Sequence, residues 1–376
     1  HLLGSSSIEI WLKENGEERK IVFSGDIGNV EQPILKDPGL TKEADYIVIE
    51  STYGNRIHSE ERPDYLGEFT RILRDTFLRG GNVVIPSFAV GRTQEILYFI
   101  REIKEQNLLP EYPHFDVYVD SPLAISATEV FKKNTELFEE EIQEKIKRGD
   151  NPLEFRELHF TQTADESKAL NMDTSPAIII SASGMCEVGR IKHHLKHNLW
   201  DPNNTILFVG YQAPGTLGRS IVDGATKVKI FGEEIAVNAR IEYIEGYSGH
   251  ADQTWLLNFV YSFTNPPKHI FLVHGEEEGQ EILKQKIEET SECKVSIPNF
   301  GDSFELGAEG PTLLAETEEI ENFRKEFKRL DLIERIEELI SLISKVLLCN
   351  KISIQMIMNL DHWKKELKKF KNIFKV

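Results

Sequence analysis

The chain has 376 residues, 40% hydrophobic and 28% charged, so it reads as a folded protein of two or three domains, long enough to bury a core without staples. Its 44 basic and 62 acidic residues leave a net charge of −18, which argues against a protein held to nucleic acid by an overall positive field but leaves room for a local basic channel. Three scattered cysteines, Cys186, Cys293 and Cys349, show no CxxC spacing; that disfavours a thiolate metal site or disulfide framework and fits a reducing cytoplasm.

From the first residues the pattern is β-like. Ile8, Ile10 and Leu12 alternate with polar neighbours, Asn15-Gly16 supplies a turn, and Ile21-Val22-Phe23 completes a hairpin. A buried strand follows at Tyr46–Ile49. Helices are then predicted from Arg62 to Arg79 and from Arg92 to Gln106, each preceding an apolar run: Asn82–Pro86 and Phe115–Val119. Further strands are read at Pro176–Ser181, Thr205–Val209, Ala239–Ile244 and Ile270–Val273, with a helix starting near Asp252. Strands separated by helices imply a parallel α/β layer. The charged stretch from Thr128 to Glu157 reads as a solvated helical excursion. Residues 312–376 are helix formers with Ile333, Ile336, Leu339, Ile340 and Ile343 at helical spacing, and the lysine-rich end from Trp363 reads as a solvated helix face. The most apolar run, Leu339 to Met358, is broken by Lys345, Asn350 and Lys351, so no membrane contact is expected.

Five residues stand at or beside predicted strand ends: His1, Asp26, Glu50, His250 and His274. Strand ends are where distant segments of α/β folds converge on a site, and His with Asp is a zinc-type ligand set. Taken singly, each is an ordinary turn, surface or core residue.

The segments HLLGSSS, SGDIGN, IESTYGNRIH, PSFAVGRTQE, DSPLA, SASGMCEVGRIKHHL, GYQAPGTLGR, YSGHADQ and LVHGE occur in this order. Together they resemble the β-CASP branch of the metallo-β-lactamase superfamily, the RNA-processing nucleases, over about residues 1 to 306, with the bacterial and archaeal ribonucleases nearest. The resemblance implies an α/β fold: a metallo-β-lactamase αββα sandwich, present as its C-terminal portion in residues 1–54 and 247–308, an inserted β-CASP parallel-sheet domain over 55–246, and a helical extension over 309–376. It also implies roles. His1 matches a ligand of a first zinc, Asp26 a carboxylate bridging two zincs, and His274 a ligand of the second. Glu50 and His250 match acidic and histidine motif residues, His250 being the general acid. The family's HxHxDH string, which supplies further ligands upstream of the position of His1, has no counterpart here, so the sequence is expected to be a fragment rather than a natural truncation.

Three glycine-containing loops read as phosphate cradles beside cations: Gly91-Arg92, Ser183-Gly184 with Arg190, and Thr216 with Arg219. Each is also explained by a tight turn that needs glycine. His193 and His197 share a helical face, but no HExxH surrounds them, and His194 is assigned to packing or an RNA-phosphate contact. The activity expected of the intact protein is zinc-dependent hydrolysis of single-stranded RNA, with two Zn2+ neutralising the phosphodiester and activating water, His250 protonating the leaving ribose oxygen and Glu50 orienting the imidazole, while this chain is expected to be inactive by itself. A homodimer is left open. A non-catalytic RNA scaffold and a small-molecule metallo-hydrolase are the alternatives; the insertion of about 200 residues between Glu50 and His250 disfavours the second.

Overall fold

The computed structural model describes residues 1–314 apart from 15, 59–63, 174, 245–248, 300 and 308–309. In chain order the first unit, His1–Ser296, contains β1 (Ile8–Glu14), β2 (Glu17–Phe23), β3 (Tyr46–Glu50), α1 (Tyr65–Leu78), β4 (Val83–Pro86), α2 (Arg92–Glu105), β5 (Asp116–Val119), α3 (Pro122–Lys133), α4 (Glu140–Lys147) and β6 (Leu158–Phe160). It continues through α5 (Ala164–Leu170), β7 (Ala177–Ser181), α6 (Ile191–Asn198), β8 (Thr205–Phe208), α7 (Leu217–Val222), β9 (Lys227–Ile230), β10 (Glu233–Ala236), β11 (Arg240–Tyr243), α8 (Gln253–Tyr261), β12 (His269–Val273), α9 (Glu277–Thr290) and β13 (Lys294–Ser296). The second unit begins at Ile297, and its described part holds the hairpin of β14 (Phe304–Leu306) and β15 (Pro311–Leu313).

Two larger sheets organise the first unit. One has five strands in the order β1-β2-β3-β12-β13, antiparallel only between β1 and β2. The other has six strands in the order β11-β8-β4-β7-β5-β6, all parallel. Parallel strands joined by helices are covered on both faces and therefore read as unbroken apolar runs. That is how β4 and β7 appear: Val83, Ile85, Ile178 and Ile180 point into a core shared with α1, α2 and α3, while Val84 and Ile179 point to the opposite face against Ile191 and Leu195 of α6 and Leu199 just past its end.

Two expectations are corrected. The stretch from Thr128 to Glu157 is not a solvated excursion: Phe131, Phe138, Ile142 and Leu153 are buried in the larger core. Its charges occupy the outer faces of amphipathic helices, which hid the apolar stripe. The helical extension expected over 309–376 lies mostly outside the described residues, and Pro311–Leu313 pair with Leu306–Phe304 as a strand instead.

A buried cluster ties β5 to α6. Asp120, just after β5, receives Arg190 Nη1 at 2.6 Å, His194 Nε2 at 2.5 Å and Ser167 Oγ at 2.5 Å. Burial would raise this carboxyl, but the hydrogen bonds from His194, Ser167 and Arg190 outweigh it and hold its pKa below the usual carboxylate value. Asp120→Asn is therefore expected to cost about 3 kcal/mol at neutral pH, because it leaves the Arg190 guanidinium without its carboxylate and breaks the buried hydrogen bonds from His194 and Ser167. The stabilisation is present above the unfolded carboxyl's pKa of about 4 and is lost as pH falls through the lower folded value, so the gap between wild type and variant should close in acid. Denaturant titrations at neutral and acid pH check it; a gap that persists at the most acid pH would deny the carboxylate its role.

Candidate active site

Strands β2, β3 and β12 run parallel and end at the same edge of the five-stranded sheet. The turn Ser24-Gly25 follows β2 and presents Asp26; Glu50 closes β3; His274 follows β12. Register pairs Val273 with Glu50, so the next residues are neighbours, and Ser51 N donates to the His274 carbonyl at 3.1 Å. His274 holds a left-handed backbone, φ 49°, in which its carbonyl also accepts from Thr52 Oγ1 at 3.2 Å. His250 arrives from the segment before α8, bridged antiparallel to Gly28.

These elements bring all five sequence-selected residues together. Glu50 is only 1% exposed. Its carboxylate accepts from Ile27 N at 2.5 Å and Thr52 Oγ1 at 2.5 Å, and both oxygens meet His250 Nδ1, at 3.2 and 3.1 Å. Asp26 lies between two histidines, 3.6 Å from His1 Nε2 and 3.1 Å from His274 Nδ1. His1 Nδ1 donates to the Gly249 carbonyl at 3.1 Å, which leaves Nε2 facing Asp26. The rings of His1 and His250 lie 4.3 Å apart, and those of His250 and His274 5.9 Å.

This donor set fits a metal. His1, Asp26 and His250 each offer a ligand atom, all within 4.8 Å of one another, and His274 joins through Asp26. The ligand types are imidazole nitrogen and carboxylate oxygen, the set for a borderline divalent ion. The geometry therefore admits His250 as a ligand oriented by a carboxylate as well as an acid held by one.

The proposed phosphate contacts fare differently. His194 is corrected: it is fully buried, with Nε2 on Asp120 and Nδ1 3.2 Å from Asn171 Oδ1, so packing accounts for it. Arg190 is also engaged internally, donating to Asp120 and to the carbonyls of Thr161 and Gln162. Arg92 pairs with Glu95 at 2.5 Å on the first turn of α2. Thr216 caps α7 by accepting from Arg219 N at 3.2 Å, and Ser183 Oγ accepts from Val188 N at 3.3 Å. Arg219 is the cation with a solvent-facing side chain, 43% exposed and paired with Asp223 at 2.9 Å. Gly184 keeps its place because a Cβ there would press at 3.1 Å against Phe88, whose ring is exposed at the same strand-end edge. Sequence reasoning gave no role to Phe88, Asp120, Tyr53 or Gln253, although each lies inside a quoted motif; the signal was present as wording without a partner.

Comparison with known proteins follows the same lines. The Beta-Casp domain family matches residues 93–221, and the Zn-dependent metallo-hydrolase RNA specificity domain family matches 234–298. Ribonuclease TTHA0252 of Thermus thermophilus is 39% identical over 302 residues, 80% of this chain and 67% of that protein. An RNase J-like protein of Methanocaldococcus jannaschii is 33% identical over 303 residues, 80% of this chain and 68% of the relative. Transcription termination factor FttA of Pyrococcus horikoshii is 33% identical over 318 residues, 81% of this chain but 47% of the relative. The chain thus spans about two thirds of the two ribonuclease-type relatives and under half of the termination factor. With metal-type donors at the strand ends and both family domains in order, the chain belongs to the β-CASP branch of the metallo-β-lactamase family of ribonucleases.

Proposed function

We propose that the protein is a zinc-dependent ribonuclease acting on single-stranded RNA, with two zincs held in part by His1, Asp26 and His274 and with His250 as general acid. The observation that carries this reading is the Glu50–His250 pair set beside the His1–Asp26–His274 group at one sheet edge. When bound, the metal supplies the positive charge that neutralises the phosphodiester and acidifies the attacking water. Glu50 engages Nδ1 of His250, so the transferable proton is carried on Nε2. From there it passes to the leaving ribose oxygen, leaving a 3′-hydroxyl and a 5′-phosphate. The relatives' names, two ribonuclease-type and one termination factor, favour RNA over a small ester.

A second reading, His250 as a metal ligand, is favoured by its place in the donor cluster. His250→Ala separates the two. As a general acid it leaves metal content unchanged and lowers RNA cleavage by about a hundredfold; loss of metal along with activity would make it a ligand. Asp26→Ala, which removes the carboxylate between two histidines, is expected to strip metal from the protein, read by elemental analysis after dialysis. Metal retained at the wild-type ratio would refute its bridging role.

The RNA is held chiefly through phosphates in a cleft of an acidic protein. Arg219→Ala should weaken binding to all RNA sequences about equally and lower the salt slope by about one, without changing metal content. Binding titrations at several salt concentrations check this; wild-type affinity and slope would remove Arg219 from the path.

A further inference from the structure

The segment that carries His250 is clamped from two sides. On one side Ala251 N donates to the Ile27 carbonyl at 2.9 Å and Asn29 N donates to the Gly249 carbonyl at 3.0 Å, bracketing the bridge between Gly28 and His250. On the other side the clamp is Gln253. Its side chain is buried, Nε2 donates to the Gly54 carbonyl at 2.6 Å, and its backbone N donates to the Arg56 carbonyl at 2.8 Å. Asp252 adds a third tie by accepting from His58 N at 2.9 Å, while its other oxygen caps α8 on Trp255 N.

The turn so held has little freedom. A Cβ on Gly54 would lie 2.2 Å from the Gly279 carbonyl, so the turn is packed directly against the first turn of α9. Between Gly54 and β3 sits Tyr53. Its ring meets His250 edge-on, centroids 6.0 Å apart, and meets His58 in the same manner at 5.7 Å; the Arg56 guanidinium lies over it at 5.2 Å. Glu50 grips one edge of the His250 ring through Nδ1, and Tyr53 limits its tilt.

We propose that Gln253 is a positioning residue for His250: by locking the Gly54–Arg56 turn it seats Tyr53 against the imidazole and keeps the ring aligned on Glu50. The proposal rests on the reading of His250 as general acid. It explains why an amide stands here. Alanine would leave the buried Gly54 carbonyl without its donor, and glutamate, equal in shape, would set an acceptor against an acceptor.

The test compares two substrates in the metal-loaded intact protein: single-stranded RNA, whose ribose leaving group needs a proton, and bis-(p-nitrophenyl) phosphate, whose leaving group departs without one. Gln253→Ala and Gln253→Glu are each expected to lower kcat for RNA by about tenfold or more with KM unchanged, the size of a misaligned acid. Metal content and hydrolysis of the activated diester should stay at wild-type level. Equal losses on both substrates, or no loss on RNA, would overturn the proposal. His250→Ala is the control for the underlying reading. If it slows both substrates alike, the general-acid assignment fails; if it slows RNA selectively while the Gln253 variants do not, the clamp alone fails. The double variant should be no slower than His250→Ala, and additive losses would show that Gln253 acts elsewhere.

Discussion

A carboxylate taken out of water must find donors or neutralise, and Glu50 is almost wholly buried. Its donors come from three places: Ile27 after β2, Thr52 after β3, and His250 before α8. Satisfying one side chain therefore forces three chain segments to one point. About 200 residues separate Glu50 from His250, yet the cost of closing so long a loop grows only with the logarithm of its length. The six-stranded sheet can be inserted there because its two ends are already pinned by this acid.

How much of this was legible in the sequence depends on the range of the interaction. Strands β3, β4 and β7 were readable because burial on both faces writes an apolar run into consecutive residues. Strand β6 and the hairpin of β9 and β10 were not: Leu158–Phe160 is three residues long, and β9 alternates Lys227 and Lys229 with Val228 and Ile230 over one short element. Glu50 and His274 were found at the ends of such runs and Asp26 just past β2, whereas His1 and His250 were legible through the motif segments that carry them. What one sequence does not write down is the partner of a charge. Arg190 and His194 look like a basic entry to a helix until Asp120, some seventy residues earlier, is brought beneath them. The same holds for Gln253, whose role depends on a carbonyl 199 residues away.

The internal pairing of cations bears on how an acidic protein meets a polyanion. Arg92 pairs with Glu95, Arg190 with Asp120, Arg101 with Asp150 and Lys104 with Glu157. Cations engaged in this way shape the fold and add little field outside it. With a net charge of −18, the ribonuclease reading proposed above requires an attraction for phosphate that is local, from more exposed cations such as Arg219, whose pair with Asp223 lies at the surface, and from a metal if one is held at the strand ends.

The two sheets divide the work, and their packing joins it. Leu3, two residues from His1, packs on the core of the six-stranded sheet, as does Ile34 from the loop after Asp26. Gly91, at the strand-end loop of β4, is approached so closely by Leu2 that a side chain at 91 would fall 2.5 Å from its methyl group. The segment that presents His1 thus packs through Leu3 on the edge of that core and through Leu2 on the loop that carries Phe88 and Gly91. Because close-packed interiors transmit displacement instead of absorbing it, a shift in that core would move the metal-type donors and the loops together. The strand-end loops of the larger sheet and the Glu50–His250 pair of the smaller one are thus linked through apolar contacts of Leu2, Leu3 and Ile34.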